Sequence, residues 1–161
     1  MLRPSNFPKD GTGGAGEKHV RDTYPREMKS LRSNSILIAV IDADDHTVEA
    51  HDAQLNAAAE RAGVKRRSLD SPVIHVIPKW SIETWLCYLE NRDQVDETKS
   101  MKNQFRDNKK IPACAEQLVK CYRATEGRDA GDCQDNAPES LKKARPELER
   151  FFKAYRLAKP R

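Results

Sequence analysis

The sequence predicts an α/β layer fold: a small parallel sheet with helices packed on it and a helical C-terminal extension. Three observations predict it. Residues 36–41 (Ile-Leu-Ile-Ala-Val-Ile) and 73–77 (Val-Ile-His-Val-Ile) are apolar, β-branched runs without polar alternation. Such runs fit strands buried on both faces, as in a parallel sheet covered by helices. Helical patterns separate and follow them, which is the order of strand–helix–strand units. Two strands fall short of the three or so that a sheet normally needs. A third is therefore expected from a stretch without a strand signal, from upstream of Met1, or from another chain.

Residues 1–16 read as loop, with two prolines and four glycines and no apolar periodicity. A helix is predicted over 17–31 with an interruption at Pro25, where Thr23 can cap a second piece. After the first strand, residues 47–62 read as helix, with Val48, Leu55, Ala59 and Ala62 on one stripe and Gly63 at the left-handed stop. His75, central in the second strand, is expected to be a buried neutral histidine with a hydrogen-bond partner. Ser81 is a suitable N-cap for a helix over 82–90. Trp80 and Trp85 have the spacing of a hydrophobic staple, and Ile82, Trp85, Leu86 and Leu89 form the buried stripe. Residues 92–110 are highly charged and irregular. Helices follow over 112–125, closed by Gly127, and over 139–157, broken or kinked at Pro146, with Leu148, Phe151, Phe152 and Tyr155 on the apolar face; 128–137 is linker.

The chain has 161 residues, 37% hydrophobic and 34% charged, with a formal net charge of +4. It has no run of about 18 apolar residues, which excludes a membrane-spanning helix. No charged-then-apolar leader opens the sequence, so a cytoplasmic protein is expected. Cys87, Cys114, Cys121 and Cys133 contain no Cys-x-x-Cys pair, and the histidines are scattered, so reduced buried thiols are expected rather than zinc. Charge is unevenly placed. Residues 42–60 hold six acidic side chains and no Lys or Arg, whereas residues 141–161 hold eight basic and two acidic ones. An acidic focus and a basic tail suit a cation site near a phosphate-bearing partner.

The acidic focus begins where the first strand ends, at Asp42-Ala43-Asp44-Asp45. In an extended chain, residues two apart point to the same side, so Asp42 and Asp44 are expected to converge. Ligand sites of open α/β sheets lie at that carboxyl edge. Paired carboxylates call for a proton or a cation, and their hard oxygens select Mg²⁺, Mn²⁺ or Ca²⁺ over zinc. The plainer reading, an Asp-rich turn before the next helix, suffices for Asp45. Gly11-x-Gly13-x-x-Gly16 matches the dinucleotide fingerprint in letters alone, because no strand precedes it. A loop whose amides can meet a substrate phosphate is the better reading.

Asp-x-Asp at a strand end occurs in several families. Haloacid-dehalogenase-type phosphatases want a Thr or Val two places after the pair, where His46 stands here, and nucleotide-sugar transferases usually have larger chains. The run from Ile36 through Asp42-Ala43-Asp44 resembles the acidic strand end of TOPRIM domains, the fold of topoisomerases, bacterial primases and overcoming-lysogenization-defect nucleases. Ile77-Pro78-Lys79-Trp80-Ser81-Ile82-Glu83-Thr84-Trp85-Leu86 is similar to the Pro-Lys-x-x-Ile-Glu-x-Trp segment of small TOPRIM-like proteins encoded beside ABC-type ATPases. Gly13 to Arg21 resembles their Gly-rich lead into a helix. The resemblance implies a TOPRIM-like domain over residues 1–100 and a helical extension with a basic tail over 101–161.

It also implies a magnesium- or manganese-dependent nuclease or nuclease subunit, with Asp42, Asp44 and Glu83 as metal ligands. Glu83 and Lys79 would be the catalytic side chains, with Lys79 facing the charge that grows on phosphoryl oxygens. Without the family, Glu83 reads as a carboxylate favoured by a helix N-terminus. DNA or RNA is the expected partner, with Lys142, Lys143, Arg145, Arg150, Lys153 and Arg156 meeting its phosphates. An ABC-type ATPase subunit, a second copy of the chain and a role in phage defence are further expectations of the resemblance. TOPRIM domains also carry a glutamate at the end of a preceding strand. Residues 1–10 hold no such strand and Glu17 begins a helix, so a catalytically degenerate module that binds a protein or nucleic acid is the alternative. A metal-dependent phosphatase is the third reading.

Overall fold

The computed structural model describes residues 16–33, 35–68, 70–90, 95–105, 107–123 and 136–158; of 121–123 and 153–158 it describes the backbone alone. The expected loop over 1–15, Gly127, most of the linker, and the side chains of Cys121, Cys133, Lys153, Tyr155 and Arg156 lie outside the described residues.

Among the described residues, five α-helices and two strands follow one another as α1 (Glu17–Lys29), β1 (Leu37–Val40), α2 (Val48–Arg61), β2 (Val73–Val76), α3 (Ile82–Glu90), a 3-10 turn (Asn108–Lys110), α4 (Ile111–Arg123) and α5 (Glu139–Ala158). The strands are parallel, with Leu37 opposite Val73 and Val40 opposite Val76. Helices cover both faces. Tyr24, Ala39, Ile41, Leu55, Ala59, Val73 and Ile77 form the core under α1 and α2. Ile74, Val76, Trp85, Tyr88, Leu141 and Leu148 form the core under α3 and α5, joined by Ile36 and Ile38. Consecutive strand residues thus feed opposite cores, which is why neither run alternates. β2 is buried throughout. β1 is less so, and Val40 stays 47% exposed, because no strand among the described residues pairs with its outer edge.

Neither Pro25 nor Pro146 breaks its helix. α1 runs through Pro25 as one element. Thr23 does not cap a second piece; its hydroxyl donates back to the His19 carbonyl at 2.8 Å. The next residue, Tyr24, is 2% exposed and anchored in the core, so tertiary packing overrides the local cost of proline. α5 likewise continues through Pro146. Gly63 behaves as expected: its φ of 70° ends α2, where Lys29 from α1 donates to the Ala62 carbonyl.

β2 has a free edge too, and charge covers it. The Glu147 carboxylate on α5 accepts the His75 backbone N–H at 3.3 Å and the Arg67 guanidinium at 2.8 Å. Arg67 also donates to Asp52 at 2.5 Å, and Arg150 donates to the Ser71 carbonyl at 2.6 Å. This screens strand edge groups that would otherwise template pairing with another chain. His75 is the buried, partnered histidine expected. Its Nδ1–H donates to Asp52 and its Nε2 accepts from the Tyr24 hydroxyl, both at 2.8 Å. Burial pushes the Tyr24 hydroxyl up to about 12.

The bond from His75, helped by Arg67, holds the Asp52 carboxyl down to about 2 against an ordinary 3.8, although burial opposes it. The unfolded chain therefore binds this proton more tightly. The stabilisation is present above about pH 4 and is lost as pH falls through the folded value. Asp52→Ala should cost about 2 kcal/mol in urea unfolding at neutral pH, and that cost should shrink on acidification towards pH 2. A cost independent of pH would contradict the network.

Candidate functional site

The two loops that leave the carboxyl ends of the strands are stitched together. Past the last strand residues, the Ile41 N–H donates to Val76 O at 3.1 Å and the Ala43 N–H to Pro78 O at 2.9 Å. The chain therefore carries Asp42 and Asp44 alongside Lys79, Trp80 and the start of α3. Both loops contain a non-glycine residue in the left-handed region, Asp44 with φ 46° and Trp80 with φ 61°. Aspartate tolerates this conformation; for a bulky indole it costs of order 1–3 kcal/mol and needs support. Support is visible: Trp80 Nε1–H donates to the Glu97 carbonyl at 2.9 Å.

The left-handed turn at Asp44 changes what the Asp-x-Asp spacing does. An extended chain would aim both carboxylates together; here they take different hydrogen-bond partners. Asp42 Oδ1 accepts the Ile82 N–H at 3.2 Å, so a carboxylate forty positions earlier caps α3. The expected cap, Ser81, does not do so: its hydroxyl is buried without a partner. Asp44 turns outward, where its Oδ1 accepts from Lys102 Nζ at 3.1 Å.

Lys102 is the residue that sequence reasoning missed. It sits in the charged stretch read as irregular, with Met101 and Phe105 buried around it. The segment is held further by Glu97, whose carboxylate accepts from the Ser140 N–H at 3.2 Å and from its hydroxyl. Trp85 Nε1–H completes the arrangement with a bond to the Ser140 hydroxyl at 2.8 Å. The Lys102 ammonium is raised above its ordinary value by its bond to Asp44, against burial, and by the fields of Asp42 and Glu83. Of the three carboxylates predicted as ligands, Asp44 alone bonds this ammonium, and Asp42 and Glu83 act on it only through their fields. No other signal in the sequence marked Lys102, since contact with residues 58 positions away leaves no local pattern.

Lys79 is placed differently from a free phosphate-facing lysine. Its Nζ donates to the Asp44 and His46 carbonyls, both at 2.8 Å, and lies 4.6 Å from the Trp80 ring centroid. It clasps the acidic loop to the loop after β2. Of the six basic residues predicted to meet phosphates, Lys143 pairs with Glu49 at 2.6 Å and Arg145 with Glu149 at 2.7 Å. Arg150 is occupied by Glu147 and Ser71, and Lys142 is exposed.

Carboxylate oxygens such as those of Asp42, Asp44 and Glu83 suit a hard dication in chemistry and charge. No group of three His, Cys, Asp or Glu among the described residues forms a ready-made ligand set. A dication at this edge would have to displace the Lys102 ammonium from Asp44. The Asp44–Lys102 pair is about half exposed at both ends, a class of ion pair worth about 0–1 kcal/mol, so it opposes that exchange weakly. No protein-family model, curated protein or solved structure matches the chain. No helix among the described residues is long and apolar enough to cross a membrane.

Burial, followed by the Glu83 and Asp44 charges, raises the Asp42 carboxyl above its ordinary value, against Lys102 and the Ile82 amide, which lower it. The folded chain holds this proton more tightly than the unfolded chain, so the group's contribution to stability declines as pH rises through its folded pKa. Asp42→Asn keeps an acceptor for Ile82 and removes the buried charge; it should equal or exceed the parent's thermal stability at pH 7. Asp42→Ala should lose about 1 kcal/mol with the cap. Thermal melts of both variants check this, and a less stable Asp42→Asn contradicts it.

Proposed function

We propose that this chain is a TOPRIM-like, metal-dependent nuclease module or nuclease subunit acting on DNA or RNA phosphodiesters. The observation that supports the reading is the stitched carboxyl end of the two parallel strands, where Asp42 accepts the first amide of α3, the helix that carries Glu83, and Asp44 pairs with Lys102. That edge is where open α/β sheets bind ligands. Asp42, Asp44 and Glu83 would hold Mg²⁺ or Mn²⁺, and the bound ion supplies Lewis acidity to a phosphodiester and a more acidic water. Lys79 acts in this reading by fixing the Asp44–His46 loop through two carbonyl bonds. Lys102 is the internal charge that the dication replaces. Lys142, Lys143 and Arg145 on α5 are the basic side chains that would follow the nucleic-acid backbone, with Lys153 and Arg156 continuing the run in sequence. A cytoplasmic setting, an ABC-type ATPase partner, self-association and a part in phage defence belong to the same proposal and rest on the resemblance.

A second reading is a catalytically degenerate TOPRIM module that binds a protein or nucleic acid. It is favoured by the two engagements that already satisfy the acidic pair, Asp42 with the α3 amide and Asp44 with Lys102. Cleavage assays separate the two. On the nuclease reading, DNA or RNA is cut only with Mg²⁺ or Mn²⁺ and the rate falls at least about a hundredfold in Asp42→Ala and Glu83→Ala, the scale expected when a transition-state contact is removed. Activity unchanged by both substitutions removes this site. Metal-independent binding that weakens steeply with salt, without cleavage, favours the degenerate module.

Lys102→Met offers a separate check. Removing the competing ammonium should raise Mn²⁺ affinity severalfold in calorimetric titration, and that gain should vanish when Asp42→Asn is added. Lower affinity in Lys102→Met would assign the lysine a supporting role instead.

A further inference from the structure

Away from the acidic loops, between α2, α5 and the free edge of β2, the fold leaves a cavity of about 490 Å³. That is a size small organic ligands occupy, roughly 300–1,000 Å³. The apolar part of its lining is Val48, Ala53, Ile77 and Ala144. One side is the Asp52–His75–Arg67–Glu147 network, whose two carboxylates are met by Arg67 and, on Glu147, also by Arg150. At the mouth, Glu49 and Lys143 neutralise each other at 2.6 Å. Arg66 is different: it lines the cavity, is exposed, and makes no ion pair among the described residues. The lining holds as many carboxylates as cations, but with Glu147 also paired to Arg150 outside it, Arg66 is the lining cation left without a carboxylate partner among the described residues. A second feature points the same way, because the Nε–H of the neighbouring Arg67 is buried without an acceptor.

We propose that this cavity binds a small organic anion, an apolar or aromatic body carrying one carboxylate or phosphate head. The head pairs with Arg66, whose planar fork suits either group bidentately. The body lies against Val48, Ala53, Ile77 and Ala144, where burying apolar area contributes roughly in proportion to that area. A second anionic group is disfavoured, because Glu49 and Glu147 face the same space. This site shares no side chain with the Asp42–Asp44–Glu83 cluster, so it stands or falls independently of the nuclease reading.

Calorimetric titration of the full chain with phenyl phosphate, phenylacetate, adenosine monophosphate, inorganic phosphate and benzyl alcohol tests it. At least one of the three organic anions should bind about tenfold or more tightly than inorganic phosphate and benzyl alcohol, and which one does so distinguishes a phosphate from a carboxylate head. Arg66→Ala should weaken that binding about tenfold. Ala53→Phe, an exposed lining position where a ring would fill the cavity, should abolish it while the circular dichroism spectrum stays unchanged. Asp42→Asn should leave it intact. Inorganic phosphate binding as tightly as the organic anions, binding indifferent to Arg66→Ala, or no binding of any organic anion would each overturn the proposal.

Discussion

The structure depends on a parallel ladder that outlasts its strands. Regular pairing ends at Val40 and Val76, yet the bonds from Ile41 to Val76 and from Ala43 to Pro78 continue it. Those two amides clamp the acidic loop against the chain that enters α3. Everything at the candidate site follows from that clamp. Asp42 lies close enough to cap α3, Lys79 reaches two carbonyls of the acidic loop, and Asp44 must turn through a left-handed conformation that delivers its carboxylate to Lys102. The strained backbone at Trp80 is held because its indole is tied to Glu97, and Glu97 is tied to the start of α5. Strain at this edge is thus supported by contacts spread over three segments of the chain.

Charge serves two purposes in this molecule, and burial separates them. The Asp52–His75–Arg67–Glu147 network is largely enclosed; Arg67 and Glu147 are 13% and 14% exposed. Breaking it leaves a polar group unpartnered in a poor solvent, which is costly whatever the net worth of the intact set. Its clearest service is geometric, because Glu147 occupies an edge amide of β2. The Asp44–Lys102 pair is open to water and easily exchanged. A permanent network protects the sheet, and a replaceable ion pair stands at its carboxyl end.

Much of the scaffold was legible in the sequence because it is encoded locally. The unbroken apolar runs gave both strands, and Thr47, with its hydroxyl accepting from Ala50 N, and Gly63 marked the two ends of α2. Where expectation and structure part, the cause is a contact distant in sequence. Pro25 does not interrupt α1 because Tyr24 is fixed by His75, 51 positions away. Ser81 looked like the cap of α3, and Asp42 does the capping, which no local pattern could reveal. The acidic pair was found by its spacing, but its geometry was misjudged, since residues two apart share a side only where the chain is extended and Asp44 is not. Lys102 and Asp52 were unremarkable letters until the fold brought them to their partners. The TOPRIM resemblance, the metal and the nucleic-acid partner remain proposals argued from the Asp42–Asp44–Glu83 arrangement.

The most direct measurement of that arrangement is paramagnetic broadening of backbone amide signals on titration with Mn²⁺. A dication held by Asp42, Asp44 and Glu83 predicts that the amides of residues 42–46 and 82–84, together with Lys102, broaden first and that Mg²⁺ restores them by competition. Broadening that begins elsewhere, or that spreads evenly over the exposed carboxylates, would contradict the account.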